Sequence, residues 1–249
     1  MPEGHSYLEQ AEGHLARARE TRGRLHGDCG IPVILLAELD AYMTHVERQI
    51  DQIRRRVLLG ERIPHHEKVF SIFEPHTEWI SKGKAGVPVE LGLRVAVVED
   101  QHRFILHHRV MEKTTDDQVA VPIVTETRAR FPQTRAISLD KGFHSPSNQR
   151  ELKALVDLVV LPKKGRLCAA DRLREGDPEF VELRQQHSAV ESAINALEVH
   201  GLDRCLDHGL EGFRRYVALA VVARNIQRLG AVLRQQEAQR RRGPYKKAA

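Results

Sequence analysis

Beyond Pro64 the chain leaves helical periodicity, and the order of segments that follows constrains the fold more than any other feature. Residues 69–73 are a short β-rich run. Residues 89–98 and 104–111 are apolar runs separated by Glu99-Asp100-Gln101-His102-Arg103, the pattern of a strand hairpin. Residues 116–130 read as a helix that begins near Asp116-Asp117 and stops near Phe131-Pro132, with Pro122 disturbing its first turns. Ala136-Ile137-Ser138-Leu139-Asp140 is the next strand. A short helix over about 147–155 and a strand over 158–161 come after it. A polar loop then leads to a helix over about 179–198. The last helix, roughly 212–238, is apolar on nearly every side from Tyr216 to Ala223, which predicts that it is packed inside.

Strand hairpin, helix, strand, helix, strand and long helix is an order that suits an α/β domain in which helices cover a mixed sheet. The ribonuclease-H-like arrangement is one member of that class. The segment before Pro64 is different. Leu36, Leu39, Met43, Val46, Ile50, Ile53 and Val57 are spaced 3-4-3-4-3-4, a heptad seam, and Leu8, Ala11, Leu15 and Ala18 repeat it on an earlier helix. The break between them, Gly27 to Pro32, predicts a helical hairpin. Its seam serves packing within the protein or against a second copy, or else the basic flank Arg54-Arg55-Arg56 touches nucleic acid. The expected organisation is therefore a hairpin over 1–62, an α/β domain over 63–238 and a basic disordered tail over 239–249. Arg240-Arg241-Arg242 and Lys246-Lys247 make that tail a solubility device or a DNA contact.

At 249 residues the chain can bury a sizeable core. A net charge of +5 does not oppose a polyanionic partner but is too small to identify one. Cys29, Cys168 and Cys205 have neither paired nor metal-ligand spacing, which suggests a reducing compartment and argues against a disulfide scaffold. No apolar run reaches about 18 residues, and Met1-Pro2-Glu3-Gly4-His5 has no signal-peptide pattern. A soluble cytoplasmic protein with no membrane partner is the expectation.

Two carboxylates carry the candidate chemistry. Asp140 closes a strand and is followed by Lys141-Gly142-Phe143-His144-Ser145. Strands often end in Asp because its side chain satisfies the next turn, and Gly142 would supply the bend. Glu191 lies on the 179–198 helix, whose polar stripe is Arg184, His187, Ser188, Glu191, Asn195 and Glu198. His187 is one turn before Glu191, so the two share a face. A strand-end Asp and a helix Glu can converge at one sheet edge. Hard oxygen ligands there hold Mg²⁺ or Mn²⁺ for phosphoryl transfer, a chemistry that usually needs three or four carboxylates. Lys82-Gly83-Lys84 is a solvated turn or a phosphate contact. Pro162-Lys163-Lys164-Gly165-Arg166 follows a strand on the edge expected to carry Asp140, which favours phosphate contact more. The pairs His65-His66 and His107-His108 have no ligand partners at metal spacing and read as surface or strand residues.

Together these segments resemble the catalytic part of bacterial insertion-sequence DDE transposases, of the type placed outside the large named families. The likeness spans about residues 60–232. It rests on the run from Glu67 to Pro75, on Lys82-Gly83-Lys84 through Glu90-Leu91-Gly92, and on Asp140-Lys141-Gly142-Phe143-His144-Ser145. Pro162-Lys163-Lys164-Gly165, His187-Ser188-Ala189-Val190-Glu191, Gly201-Leu202-Asp203-Arg204, Arg224-Asn225 and Leu229-Gly230 complete it. The resemblance implies a ribonuclease-H-like fold, Mg²⁺ (or Mn²⁺) as cofactor, and a homodimer that cleaves element-end DNA and joins it to a target. Asp140 matches the second aspartate of the catalytic triad and Glu191 its terminal glutamate. Lys82, Lys84, Lys141, Lys163, Lys164, Arg166 and His187 are the candidate DNA contacts. The first aspartate is not matched: Glu74 is the nearest carboxylate, at a position that is usually not catalytic, and Asp100 in the hairpin turn fits less well. His187 and Glu198 also stand where relatives often carry Arg and Lys. A 5′-truncated or split transposase is the expected explanation, with a catalytically inactive DNA-binding or dimerising module as the alternative.

Overall fold

The computed structural model describes residues 2–25, 30–81, 88–187, 194–202 and 204–242. The chain is of the mixed α/β class and divides into two compact units, Met1–Leu93 and Arg94–Ala249.

In the first unit, α1 (Pro2–Arg24) and α2 (Val33–Ile53) form the expected hairpin. Leu8 and Leu15 of α1 and Ile50 of α2 are its buried centre, with Ala11, Met43, Val46 and Ile53 packed around them. The heptad seam is thus largely taken up inside the hairpin. The basic flank is also engaged within the unit. Arg54 pairs with Glu12, and Arg55 contacts Glu61 at 2.8 Å and Glu67 at 2.7 Å. β1 (Glu78–Ser81) and β2 (Val89–Gly92) pair antiparallel, with Trp79 opposite Leu91.

The unit boundary falls at Leu93, where the sequence suggested 62, because the segment after the helices is tied back to them. Val69 shows how. Its N–H donates to Gln52 Oε1 at 2.8 Å and its carbonyl accepts from Gln52 Nε2 at 3.4 Å. A side-chain amide takes the place of a neighbouring strand, and residues 69–73 do not form the expected strand. The strand expected over 89–98 is also two strands, interrupted after Gly92, whose φ is 156°.

The second unit begins with the antiparallel pair β3 (Arg94–Glu99) and β4 (Ile105–Met111). Asp100 builds the connecting turn: its Oδ1 accepts the N–H groups of His102 and Phe104 at 2.9 and 2.8 Å. α3 (Asp116–Arg130) follows, Gln118 accepting the Thr115 N–H at 2.9 Å at its start, and Pro122 does not interrupt it. β5 (Ala136–Ser138), α4 (Pro146–Leu155) and β6 (Leu158–Val160) form a strand–helix–strand unit with β5 and β6 parallel. Ser145 caps α4, accepting the Asn148 N–H at 3.1 Å, and Pro146 opens its first turn. α5 (Ala169–Glu175) and α6 (Pro178–His187) come next.

Both strand pairs lie on one core. Ala96 and Met111 from β3 and β4 meet Ile123 and Val124 of α3, Ile137 of β5 and Leu152 of α4. The described strands form three separate two-stranded ladders, where the sequence reading expected one mixed sheet. The α/β class therefore stands, and β5 and β6, at three residues each, are too short to extend the sheet far.

The final helix, α7 (Gly209–Arg242), departs from expectation. Val217, Ala220 and Val221 are buried, but Leu219, Val222 and Ile226 on the other side are 67%, 53% and 65% exposed. It is packed on one face only. One 18-residue window of α7 has a mean hydropathy of 1.2, enough by length and composition to cross a membrane. The placement of Arg224 and Arg228 in the same helix argues otherwise: Arg228 Nε donates to the His102 carbonyl at 2.8 Å.

Candidate active site at the β5–β6 edge

Because β5 and β6 run parallel, the chain leaves both strands at the same edge, the usual place for ligands in open α/β sheets. The Leu139 N–H still bonds the Val160 carbonyl at 2.9 Å, so the ladder continues to the residue before Asp140. Leu161, directly after the neighbouring strand, is fully buried, and Lys163-Lys164-Gly165-Arg166 emerges beside that end. The sequence expectation that Asp140 and the basic run share an edge corresponds to this geometry.

Asp140 starts a single 3₁₀ turn, Lys141–Phe143, and its own carbonyl accepts the Phe143 N–H at 3.0 Å. Its side chain is 73% exposed, and Oδ1 lies 3.0 Å from His187 Nε2. That hydrogen bond, and next the charge of His187, hold the Asp140 carboxyl below its ordinary value against the opposing effect of partial burial. The carboxylate is therefore ionised at neutral pH. His187 is the last residue of α6, which is anchored by buried Phe180 and capped by Asp177 Oδ1, acceptor of the Glu179 N–H at 3.0 Å. His187, expected among the DNA contacts, lies in the structure against Asp140.

The loop carrying Asp140 is fastened by groups the sequence did not single out. Asn148 is 7% exposed, and its Nδ2 donates to the Asp117 carbonyl at 2.6 Å and the Phe143 carbonyl at 2.8 Å. It links the start of α3, the turn after Asp140 and α4. Gly142 answers a need for space, not for an unusual bend. A Cβ there would lie 2.8 Å from Asp116 Oδ2, and Asp116 is held by Arg94 Nη1 at 3.1 Å. A lone buried Asn carries no periodic signature, and a glycine's close contact is invisible until the partner is known.

The basic residues divide. Lys163 Nζ is 2.5 Å from Asp171 Oδ2, and its N–H donates to Glu175 Oε1 at 2.8 Å. The Cys168 thiol and the Lys163 ammonium hold Asp171 far below the ordinary carboxylate range, and the hydrogen bond to Asp171 raises Lys163. Lys163 therefore organises its own loop and start of α5. Lys141, Lys164 and Arg166 are exposed, with no ion pair among the described residues. His144 is half-buried beyond Asp140. Burial first, then the charges of Arg174 and Lys163, push its pKa down.

Lys82, Lys84 and Glu191 lie outside the described residues. Glu74 belongs to the first unit, where its Oε2 is 3.4 Å from His76 Nε2. Asp100 is used by its hairpin turn. His107 is a buried strand residue whose Nε2 sits 2.8 Å from Glu126 Oε2. Among the described residues, no group of three or more His, Cys, Asp and Glu side chains could hold a metal ion. Mg²⁺ and Mn²⁺ favour oxygen ligands. At this edge Asp140 supplies one carboxylate, whose Oδ2 has no partner among the described residues, so the described donors do not by themselves make such a site. Comparison with known protein families, with curated proteins and with solved structures gives no match to this chain.

Proposed function

We propose that the chain is the catalytic part of a bacterial insertion-sequence DDE transposase, with a ribonuclease-H-like second unit, acting on cytoplasmic, nucleoid DNA. The observation that carries this reading is the 3.0 Å contact between His187 and Asp140. It brings the chain immediately before Glu191 to the edge where Asp140 leaves β5. Four residues at full extension span about 14 Å, so the Glu191 carboxylate is within chain reach of Asp140. Exposed Lys141, Lys164 and Arg166 at that edge suit a phosphate backbone, whose contacts position DNA without reading sequence.

In this reading Asp140 and Glu191 are two of three triad carboxylates, and the first is unassigned. Mg²⁺, when bound, would activate the attacking oxygen and stabilise the leaving one. The residues of the chain orient the phosphate and keep Asp140 ionised. DNA at element ends and targets is the partner, and a pair of chains is the working unit. A second reading, a catalytically inactive DNA-binding or pairing module, is favoured by one observation. The only partner described for the Asp140 carboxylate is a histidine, not a further carboxylate.

A joining assay with supercoiled donor DNA carrying the element's own ends separates the readings. Asp140→Ala and Glu191→Ala should each abolish joining while DNA retention on a filter persists, because ligand loss affects chemistry more than backbone contacts. Joining that survives both substitutions would refute the transposase reading. Retention with no joining by the unsubstituted chain would support the inactive module.

A further inference from the structure

The two faces of α7 have different fates. One belongs to its own unit: Val217, Ala220 and Val221 are buried, and Asn225 pairs with both backbone groups of Ile105 at 2.9 Å. The other carries Leu219, Val222, Ile226, Leu229 and Leu233, between 48% and 67% exposed. Their spacing is 3-4-3-4, the a/d pattern of a helix that packs along another helix. The seam runs for about 21 Å at 1.5 Å per residue.

Gly230 sits beside this seam in mid-helix, where glycine is a poor helix former. Its own unit gives no reason for it: an added Cβ would meet nothing nearer than Arg234 Nη1, at 3.6 Å. A glycine without an internal need, next to an apolar stripe, is suited to close approach by another backbone. The other flanking positions, Ala218, Ala223, Asn225 and Val232, carry no charge, so no charge pattern selects a foreign helix.

The seam can instead pair with a reversed copy of itself. Centred on Ile226, that copy sets Leu219 against Leu233 and Ile226 against itself, and Val222 falls within one residue of Leu229, so the apolar positions meet apolar positions as a two-fold interface requires. The same arrangement brings Glu237 opposite Arg215 and keeps the two Arg240-Arg241 ends apart. Pairing four turns of helix buries on the order of 1,000 Å², enough for a specific contact.

We propose that Leu219, Val222, Ile226, Leu229 and Leu233 form an antiparallel helix–helix interface between two copies of this chain, with Gly230 at its close-approach point. This gives a surface to the pairing in the reading above, and its test is independent of DNA chemistry. Light scattering on the full chain at tens of micromolar should give twice the 28.3 kDa chain mass. Ile226→Glu should give the monomer with an unchanged far-ultraviolet spectrum, since Ile226 is already exposed, and Gly230→Leu should weaken pairing at least tenfold. Leu173→Glu, on a still more exposed residue off the seam, should leave the dimer intact. A monomeric parent chain, a dimer untouched by Ile226→Glu, or a monomer that sediments with lipid vesicles would each overturn the proposal. Unchanged pairing in Gly230→Leu would overturn the role of the glycine.

Discussion

Replacing Asn148 by alanine tests how the loop that carries Asp140 is held. Asn148 is 7% exposed, and its amide donates to two carbonyls, Asp117 at 2.6 Å and Phe143 at 2.8 Å. Each buried hydrogen bond contributes about 1 kcal/mol net, and each abandoned carbonyl costs about 1–3 kcal/mol unless water reaches it. One of the two, at Phe143, lies in a turn near solvent, so only part of that penalty applies. The expected destabilisation is about 2–3 kcal/mol, large for one short side chain. For a chain of this size the urea dependence is about 2–3 kcal/mol/M, so the midpoint should fall by about 1 M with an unchanged slope. Asn148→Asp should be worse, because an oxygen that cannot donate then faces both carbonyls in place of Nδ2. Urea unfolding followed by far-ultraviolet dichroism is the assay. A midpoint shift under roughly 0.3 M for Asn148→Ala would show that the loop is fastened by something else.

The other predictions concern the same edge. Gly142→Ala forces a methyl to within 2.8 Å of Asp116 Oδ2, so it should cost about 1 kcal/mol. Asp116→Ala in the same chain should relieve most of that cost, and additivity in the double-mutant cycle would refute the contact. Asp140 should titrate below the ordinary value of 3.8, because His187 favours its ionised form. Its contribution to stability is then present above that value and is lost as pH falls through the lower folded-state pKa. A carboxyl-carbon NMR titration reads this directly: His187→Ala should move the midpoint up, and an unmoved midpoint would rule His187 out as the cause. Lys163→Met should disorder the loop into α5, while Lys164→Met leaves it intact. Equal loss of amide protection in the two variants would contradict the division of the basic run.

What the sequence disclosed was set by how local each cause is. The helix Asp116–Arg130 has its capping residues and its Phe131-Pro132 stop within a few positions, and the bounds were readable. The strand–helix–strand run through β5, α4 and β6 was equally legible, because Ser145-Pro146 and short apolar stretches punctuate it. Residues 69–73 have a strand's composition, but a glutamine 17 positions away satisfies Val69. Lys163 and Lys164 look alike in sequence, yet only the first meets Asp171, eight positions on. α7 read as an all-round apolar helix because hydropathy does not report which face is covered. The Asp140–His187 contact spans 47 positions, and spacing alone placed His187 only relative to its own helix.

The central claim is that Asp140 and Glu191 hold one divalent ion between them. Mn²⁺ titration followed by paramagnetic broadening in the NMR spectrum of the labelled chain tests it most directly. The account predicts weak, saturable broadening confined to the neighbourhoods of residues 140 and 191, lost in both Asp140→Asn and Glu191→Gln. Broadening centred elsewhere, or broadening at 140 that persists when Glu191 is changed, would contradict it.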